Sequence, residues 1–101
     1  MRESTKATGT GELCVYVIVV YDVAVERIDS VRKTLKQYLN WVQNSAFEGE
    51  LSEGMFEELS MKLRDVIDEK TDSVICYSLS NPKWLKKRVI GIEKGEVVHV
   101  I

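Results

Sequence analysis

An unbroken apolar run, Leu13-Cys14-Val15-Tyr16-Val17-Ile18-Val19-Val20-Tyr21, stops on a single carboxylate, Asp22, just before a helical pattern begins. A run this rich in β-branched and aromatic residues, without polar alternation, predicts a strand covered on both faces. Such a strand crosses the middle of a sheet and delivers Asp22 to its edge. Strand ends facing a crevice are where sheet proteins commonly place ligand and metal groups. Asp22 is therefore the leading candidate for a functional residue, with the N-cap or turn opening the next helix as its rival role.

The remaining periodicities build a frame around that strand. Ile28, Val31, Leu35, Tyr38 and Leu39 recur at helical spacing with Arg27, Arg32, Lys33 and Lys36 between them. They predict an amphipathic helix over about Val25–Leu39 with a basic outer side. Trp41 to Phe47 changes to a period of two and reads as one bent strand, or two short ones, ending at Gly49. Ser52 suits an N-cap and Glu53 a first turn, for a second helix with the apolar face Met55, Phe56, Leu59, Leu63, Val66 and Ile67. Its outer face holds Glu57, Glu58, Asp65 and Asp68 and should turn away from any polyanion. Ser73–Leu79 is a further strand closed by Asn81-Pro82. Lys86–Ile92 and Val97–Ile101 read as a final β-hairpin around Lys94-Gly95.

Two helices on one face of a largely antiparallel sheet give the ferredoxin-like α+β arrangement, βαββαβ, here with an added C-terminal β-hairpin. Residues 13–101 form one such domain, and residues 1–12, small and polar with Gly9 and Gly11, read as a flexible lead-in. The helices cover one face, so the sheet's other face needs a partner, and the chain is expected to be a homodimer. The apolar segment Val97-Val98-His99-Val100-Ile101 is a candidate to pair across that dimer.

Composition narrows the setting. With 45% hydrophobic and 30% charged residues, the chain is an ordinary globular one. Its longest apolar run is too short for a membrane span, and its start has no secretory pattern, so a cytoplasmic protein with no membrane partner is expected. Cys14 and Cys76 sit in strand-like segments and read as buried, reduced thiols. His99 has no second His or Cys beside it to make a zinc set. The net charge is only −2, but residues 41–72 carry three Lys/Arg against nine Asp/Glu. Any basic face must come from the two ends of the chain: Arg27, Arg32, Lys33 and Lys36 from one, and Lys83, Lys86, Lys87 and Arg88 from the other.

Three segments in order resemble a known family. They are Tyr16-Val17-Ile18-Val19-Val20-Tyr21-Asp22-Val23, then Arg27-Ile28-Asp29-Ser30-Val31-Arg32-Lys33-Thr34-Leu35, and then Val42-Gln43-Asn44-Ser45-Ala46-Phe47-Glu48-Gly49-Glu50-Leu51. Together they are similar to the CRISPR-associated protein Cas-two, the small subunit of the spacer-acquisition machinery. The resemblance implies a ferredoxin-like homodimer with one Asp per protomer facing its mate across the two-fold axis. It also implies a Mg²⁺-dependent nuclease assigned to that Asp, with Mn²⁺ as an alternative ion. The implied cellular role is antiviral defence: the dimer bridges two dimers of the Cas-one integrase and holds captured double-stranded DNA, with single-stranded RNA as a further substrate. By position, Asp22 is the catalytic and metal residue, with Tyr21, Ser45 and Phe47 near it. By position Arg27 and Arg32 are candidate phosphate contacts; Lys33, Lys36, Lys86, Lys87 and Arg88 join them as nucleic-acid candidates on charge alone, with a solvated helix face as the alternative for those of the first helix. The chain departs from many relatives in having Asn40 and Trp41 where they carry an arginine before the Val-Gln pair, and Ala46 where they carry a larger Val.

The chemistry sets its own expectation. Magnesium is satisfied by one or two carboxylates with several waters and, often, phosphate oxygens. One Asp22 is a poor site, whereas two meeting across a dimer make a minimal one. Efficient phosphodiester hydrolysis commonly uses two ions about 3.5–4 Å apart, and the sequence offers no second carboxylate cluster for another ion. Three readings follow: a metal-dependent endonuclease, a purely structural adaptor without physiological cleavage, and a small-ligand regulatory module on the same fold.

Overall fold

Side chains alternate across a strand, and along β1 (Cys14–Asp22) this alternation organises the molecule. In the computed structural model, which describes residues 14–81 and 84–94, Val15, Val17, Val19 and Tyr21 are buried while Cys14, Tyr16, Val20 and Asp22 are exposed. A 3₁₀ turn (Val25–Arg27) leads into α1 (Ile28–Lys36), followed by β2 (Asn40–Gln43), β3 (Ala46–Ser52), α2 (Glu53–Val66), β4 (Ser73–Asn81) and β5 (Trp84–Gly91). The five strands form one sheet in the order β2-β3-β1-β4-β5, with every neighbouring pair antiparallel. The strand order, with a helix crossing after β1 and another after β3, is the ferredoxin-like α+β fold, and β5 extends it beyond β4. β1 is central, as its composition requires.

Both helices lie on the same side of the sheet. Val31 and Leu35 of α1 and Phe56, Leu59 and Leu63 of α2 pack with the inward residues of β1 and with Phe47, Leu51, Val74, Cys76 and Ile90. Burying side chains of this kind contributes about 1.5–3 kcal/mol each, so this layer supplies most of the driving force for folding. Ser52 caps α2, its Oγ accepting from the Met55 amide at 3.1 Å.

Within the chain the helices cover β1 on one face only, and its outward residues meet solvent, which leaves the second cover to the expected partner. Several expectations are corrected. The first helix ends at Lys36, and Tyr38 and Leu39 belong to the turn that follows. The period-two segment is two strands joined through Asn44 and Ser45, with Asn44 at φ 46°, a left-handed value that Asn tolerates. β3 runs past Gly49 to Ser52. Met55 is exposed at the start of α2, whereas Ile67, just beyond its end, is buried. Cys14 is exposed; Cys76 is buried, and burial pushes its thiol up to about 12, which keeps it protonated and unreactive. β5 pairs with β4 along its length. The expected partner strand Val97–Ile101 lies outside the described residues, as do His99, Lys83 and the lead-in of residues 1–12.

Candidate metal and nucleic-acid site

Asp22 ends β1 opposite Ser73, the first residue of β4. Its side chain is 70% exposed, and it caps neither of the helical segments that follow. The N-cap positions there are Ala24 and Arg27, with no side-chain cap bond at either. That removes the N-cap role that competed for this residue. Lys94 stands against it: Nζ lies 3.6 Å from Asp22 Oδ2 and donates a hydrogen bond of 3.2 Å to the Asp22 main-chain oxygen. Ser73 shares this corner and is buried, and its hydroxyl has no hydrogen-bond partner among the described residues.

The strand pleat separates Asp22 from the residues grouped with it by sequence. Tyr21 points to the helix-covered side, where its ring packs 6.3 Å from that of Phe47, and both are buried. They support the strand end from beneath. Ser45 sits in the β2–β3 turn, where its carbonyl accepts from the Tyr21 amide at 3.1 Å. It thereby ties that turn to the residue before Asp22.

A second acid, which sequence reasoning passed over, organises this end of the sheet. Asp72 is buried at 1% exposure of its side chain. Its carboxylate accepts from Arg27 Nε at 2.5 Å and Nη2 at 3.2 Å, from the amides of Ala24 at 3.1 Å and Asp68 at 2.9 Å, and from Thr71 Oγ1 at 3.4 Å. The Arg27 hydrogen bonds, followed by those from the Asp68 and Ala24 amides, hold it well below the usual carboxylate range despite its burial. Its main-chain oxygen accepts from the Ile92 amide at 2.9 Å. Gly91, at φ +89°, passes so close to that oxygen that a Cβ there would collide with it. Asp72 thus cross-ties the segment after β1, the end of α2 and the end of β5.

The basic residues divide into engaged and free. Arg27 is spent on Asp72, with Glu26 a further 3.6 Å neighbour. Arg88 makes a two-pronged pair with Glu57, at 3.2 and 2.8 Å, donates to Ser60 Oγ at 2.8 Å, and lies 4.3 Å over the Phe56 ring. The same pair lowers the Glu57 carboxyl from its ordinary value. Lys87 pairs with Glu93. Lys86 borders a hollow of about 350 Å³ on the helix side, together with Phe56, Glu57, Ser78 and Arg88. Arg32, Lys33 and Lys36, on α1, have neither ion pair nor hydrogen bond among the described residues. They form the free cationic stripe.

The donor set at Asp22 sets what ion it can hold. Among the described residues, no group of three or more His, Cys, Asp or Glu gathers to hold a metal. Asp22 offers one carboxylate and an adjacent main-chain oxygen, and a cation, the Lys94 ammonium, already rests against both. These oxygens fit a loosely held, largely hydrated magnesium or manganese ion, not a closed cage. Among the described residues, no helix is long and apolar enough to cross a membrane.

The family profile described as CRISPR associated protein Cas2 matches residues 15–87. A protein of Archaeoglobus fulgidus named CRISPR-associated endoribonuclease Cas2 2 is 56% identical over 81 residues, covering 80% of this chain and 88% of that one. CRISPR-associated endoribonuclease Cas2 of Pyrococcus furiosus is 46% identical over 86 residues, covering 85% and 99%. A solved crystal structure of cas2 superposes with a TM-score of 0.65 at 45% identity, covering 87% of this chain and 99% of that one. Their similarity spans both helices and every strand that positions Asp22, and on that basis the chain belongs to the CRISPR-associated Cas2 family.

Proposed function

We propose that the chain is a dimeric, metal-dependent endonuclease of CRISPR adaptation, which holds nucleic acid through α1 and cleaves weakly at Asp22. The observation that carries this reading is the placement of Asp22: an exposed carboxylate on the central strand's end that caps no helix and sits on the sheet's uncovered face. The endoribonuclease names of the relatives support a nuclease. The uncovered face presents Tyr16, Val20 and Leu85 at 41%, 39% and 62% exposure, a surface suited to a second copy. Two copies stacked through it bring two Asp22 carboxylates toward one axis and complete a minimal site for one ion. The two Asp22 carboxylates would hold a Mg²⁺ or Mn²⁺ ion, which would supply Lewis-acid polarisation of a phosphoryl oxygen and a more acidic water. Asp22 orients that ion, and Arg32, Lys33 and Lys36 hold phosphates of the strand or duplex. In the assembled machinery the dimer bridges the Cas-one integrase and keeps captured duplex DNA in place for spacer acquisition.

Purified chain incubated with single-stranded RNA or duplex DNA tests this reading. Chelation of metal should abolish cleavage, and added Mg²⁺ or Mn²⁺ should restore it. Asp22→Asn should lower the rate at least about a hundredfold, since a Lewis-acid ion supplies several kcal/mol at the transition state. Its thermal midpoint should stay at the wild-type value because the side chain is exposed. Cleavage that survives both chelation and Asp22→Asn sinks the nuclease assignment.

A second reading, an adaptor without physiological cleavage, is favoured by the single carboxylate each chain brings and the lack of any three-ligand group among the described residues. Under it, Asp22→Asn leaves spacer acquisition intact. Both readings need the α1 stripe. Lys33→Glu combined with Lys36→Glu should reduce the slope of log affinity against log salt for duplex DNA by about 2, near 0.9 per lost phosphate contact. An unchanged slope would place the nucleic acid elsewhere.

A further inference from the structure

We propose that Lys94 is a tethered counter-ion at Asp22, occupying the cation position until a divalent metal displaces it. The proposal rests on the reading of Asp22 as the metal residue. Two contacts fix the ammonium, one to the carboxylate at 3.6 Å and one to the main-chain oxygen at 3.2 Å. These are the oxygens a hydrated hard cation would use. The ammonium and a divalent ion repel each other at such a separation, so the two occupy Asp22 in alternation. No other group pairs with the Asp22 carboxylate among the described residues.

The lysine reaches Asp22 from a held stem. Ile92 donates its amide to the Asp72 main-chain oxygen at 2.9 Å, and Glu93 pairs with Lys87 of β5. The backbone leading to Lys94 is therefore fastened on both sides of the sheet corner, and the long side chain supplies the remaining freedom. Both partners are solvent-exposed, at 36% for Lys94 and 70% for Asp22. Exposed ion pairs are weak, as a counter-ion that yields to metal must be. Lys94 keeps the isolated carboxylate neutralised and sets a threshold concentration below which the ion does not stay.

Titration of Mn²⁺ and Mg²⁺ into the full chain, by calorimetry and by the electron paramagnetic resonance signal of free Mn²⁺, tests the idea without reference to cleavage. At low salt, Lys94→Met should bind either ion about two- to fivefold more tightly than wild type. Lys94→Arg, which keeps the charge, should stay within about twofold of wild type. The advantage of Lys94→Met should vanish near 1 M salt, where the Debye length is about 3 Å. Asp22→Asn separates the two layers of the argument. If Asp22→Asn binds metal like wild type, the metal assignment fails and takes the counter-ion with it. If Asp22→Asn loses binding while Lys94→Met matches or falls below wild type, the counter-ion proposal alone is overturned.

Discussion

Asp72→Ala should destabilise the chain by about 3–5 kcal/mol, the cost of breaking a buried ion pair from one side. The Arg27 guanidinium would lose its carboxylate, and the Ala24 and Asp68 amides would lose their acceptor in the same step. For a domain of this size, each kcal/mol moves the thermal midpoint by about 4–8 °C, so the shift should be tens of degrees at the upper end. Arg27→Ala should cost less than Asp72→Ala, because Asp72 keeps its main-chain donors.

The pH dependence follows from the depressed Asp72 carboxyl. Its pKa is lower in the folded than in the unfolded chain, so the unfolded state binds the extra proton first. The stabilisation is fully present above the unfolded carboxylate value, near pH 4, and is lost progressively as pH falls below it toward the folded value. Denaturant unfolding at pH 7 and at pH 3 should show the gap between wild type and Asp72→Ala narrowing at the lower pH. A gap that is constant or grows on acidification would contradict this.

Val20→Lys should split the proposed dimer. Val20 lies on the uncovered face, flanked in register by Ala46 of β3 and Ile75 of β4, near the middle of the sheet. Within one chain the position is 39% exposed, so a lysine there meets water and leaves the fold intact. Across two stacked sheets the same lysine is taken out of water, with Glu48 of β3 on the same face, and burying an added charge there costs about 3 kcal/mol. At 1.4 kcal/mol per tenfold, the dimer dissociation constant should rise about a hundredfold or more. Sedimentation of the variant should give a folded monomer, and metal affinity should fall with the loss of the second Asp22. A variant that remains dimeric would move the interface off this face.

Much of the fold is written locally in the chain. The β-branched run fixed the central strand, and Ser52 before an apolar stripe marked α2, because caps and periodicity act over a few residues. The apolar run of β1 leaves one thing open for a physical reason: an apolar strand reports that it is covered, and does not say whether its own chain does the covering. Asp22 was legible because an acid ending an apolar run is conspicuous. Asp72 was not, because an acid between a helix and a strand looks like any solvated loop residue, and its partner Arg27 lies 45 positions away. Lys94 read as part of a turn for the same reason: Asp22 is 72 positions off. Arg27 and Arg88 show the converse, since a basic residue in sequence carries no sign of the acid that will claim it.

The engagement of Arg88 by Glu57 has a kinetic consequence. It cancels charge between β5 and the acidic flank of α2, and leaves Arg32, Lys33 and Lys36 as an uncompensated positive lane on α1. A polyanion diffusing toward the protein therefore feels attraction along one lane and repulsion along the neighbouring helix before any atom touches. Under the proposed function, association would be oriented during the encounter: a nucleic acid would arrive with its phosphate backbone already along α1, and wrong approaches would be turned away in the solvent.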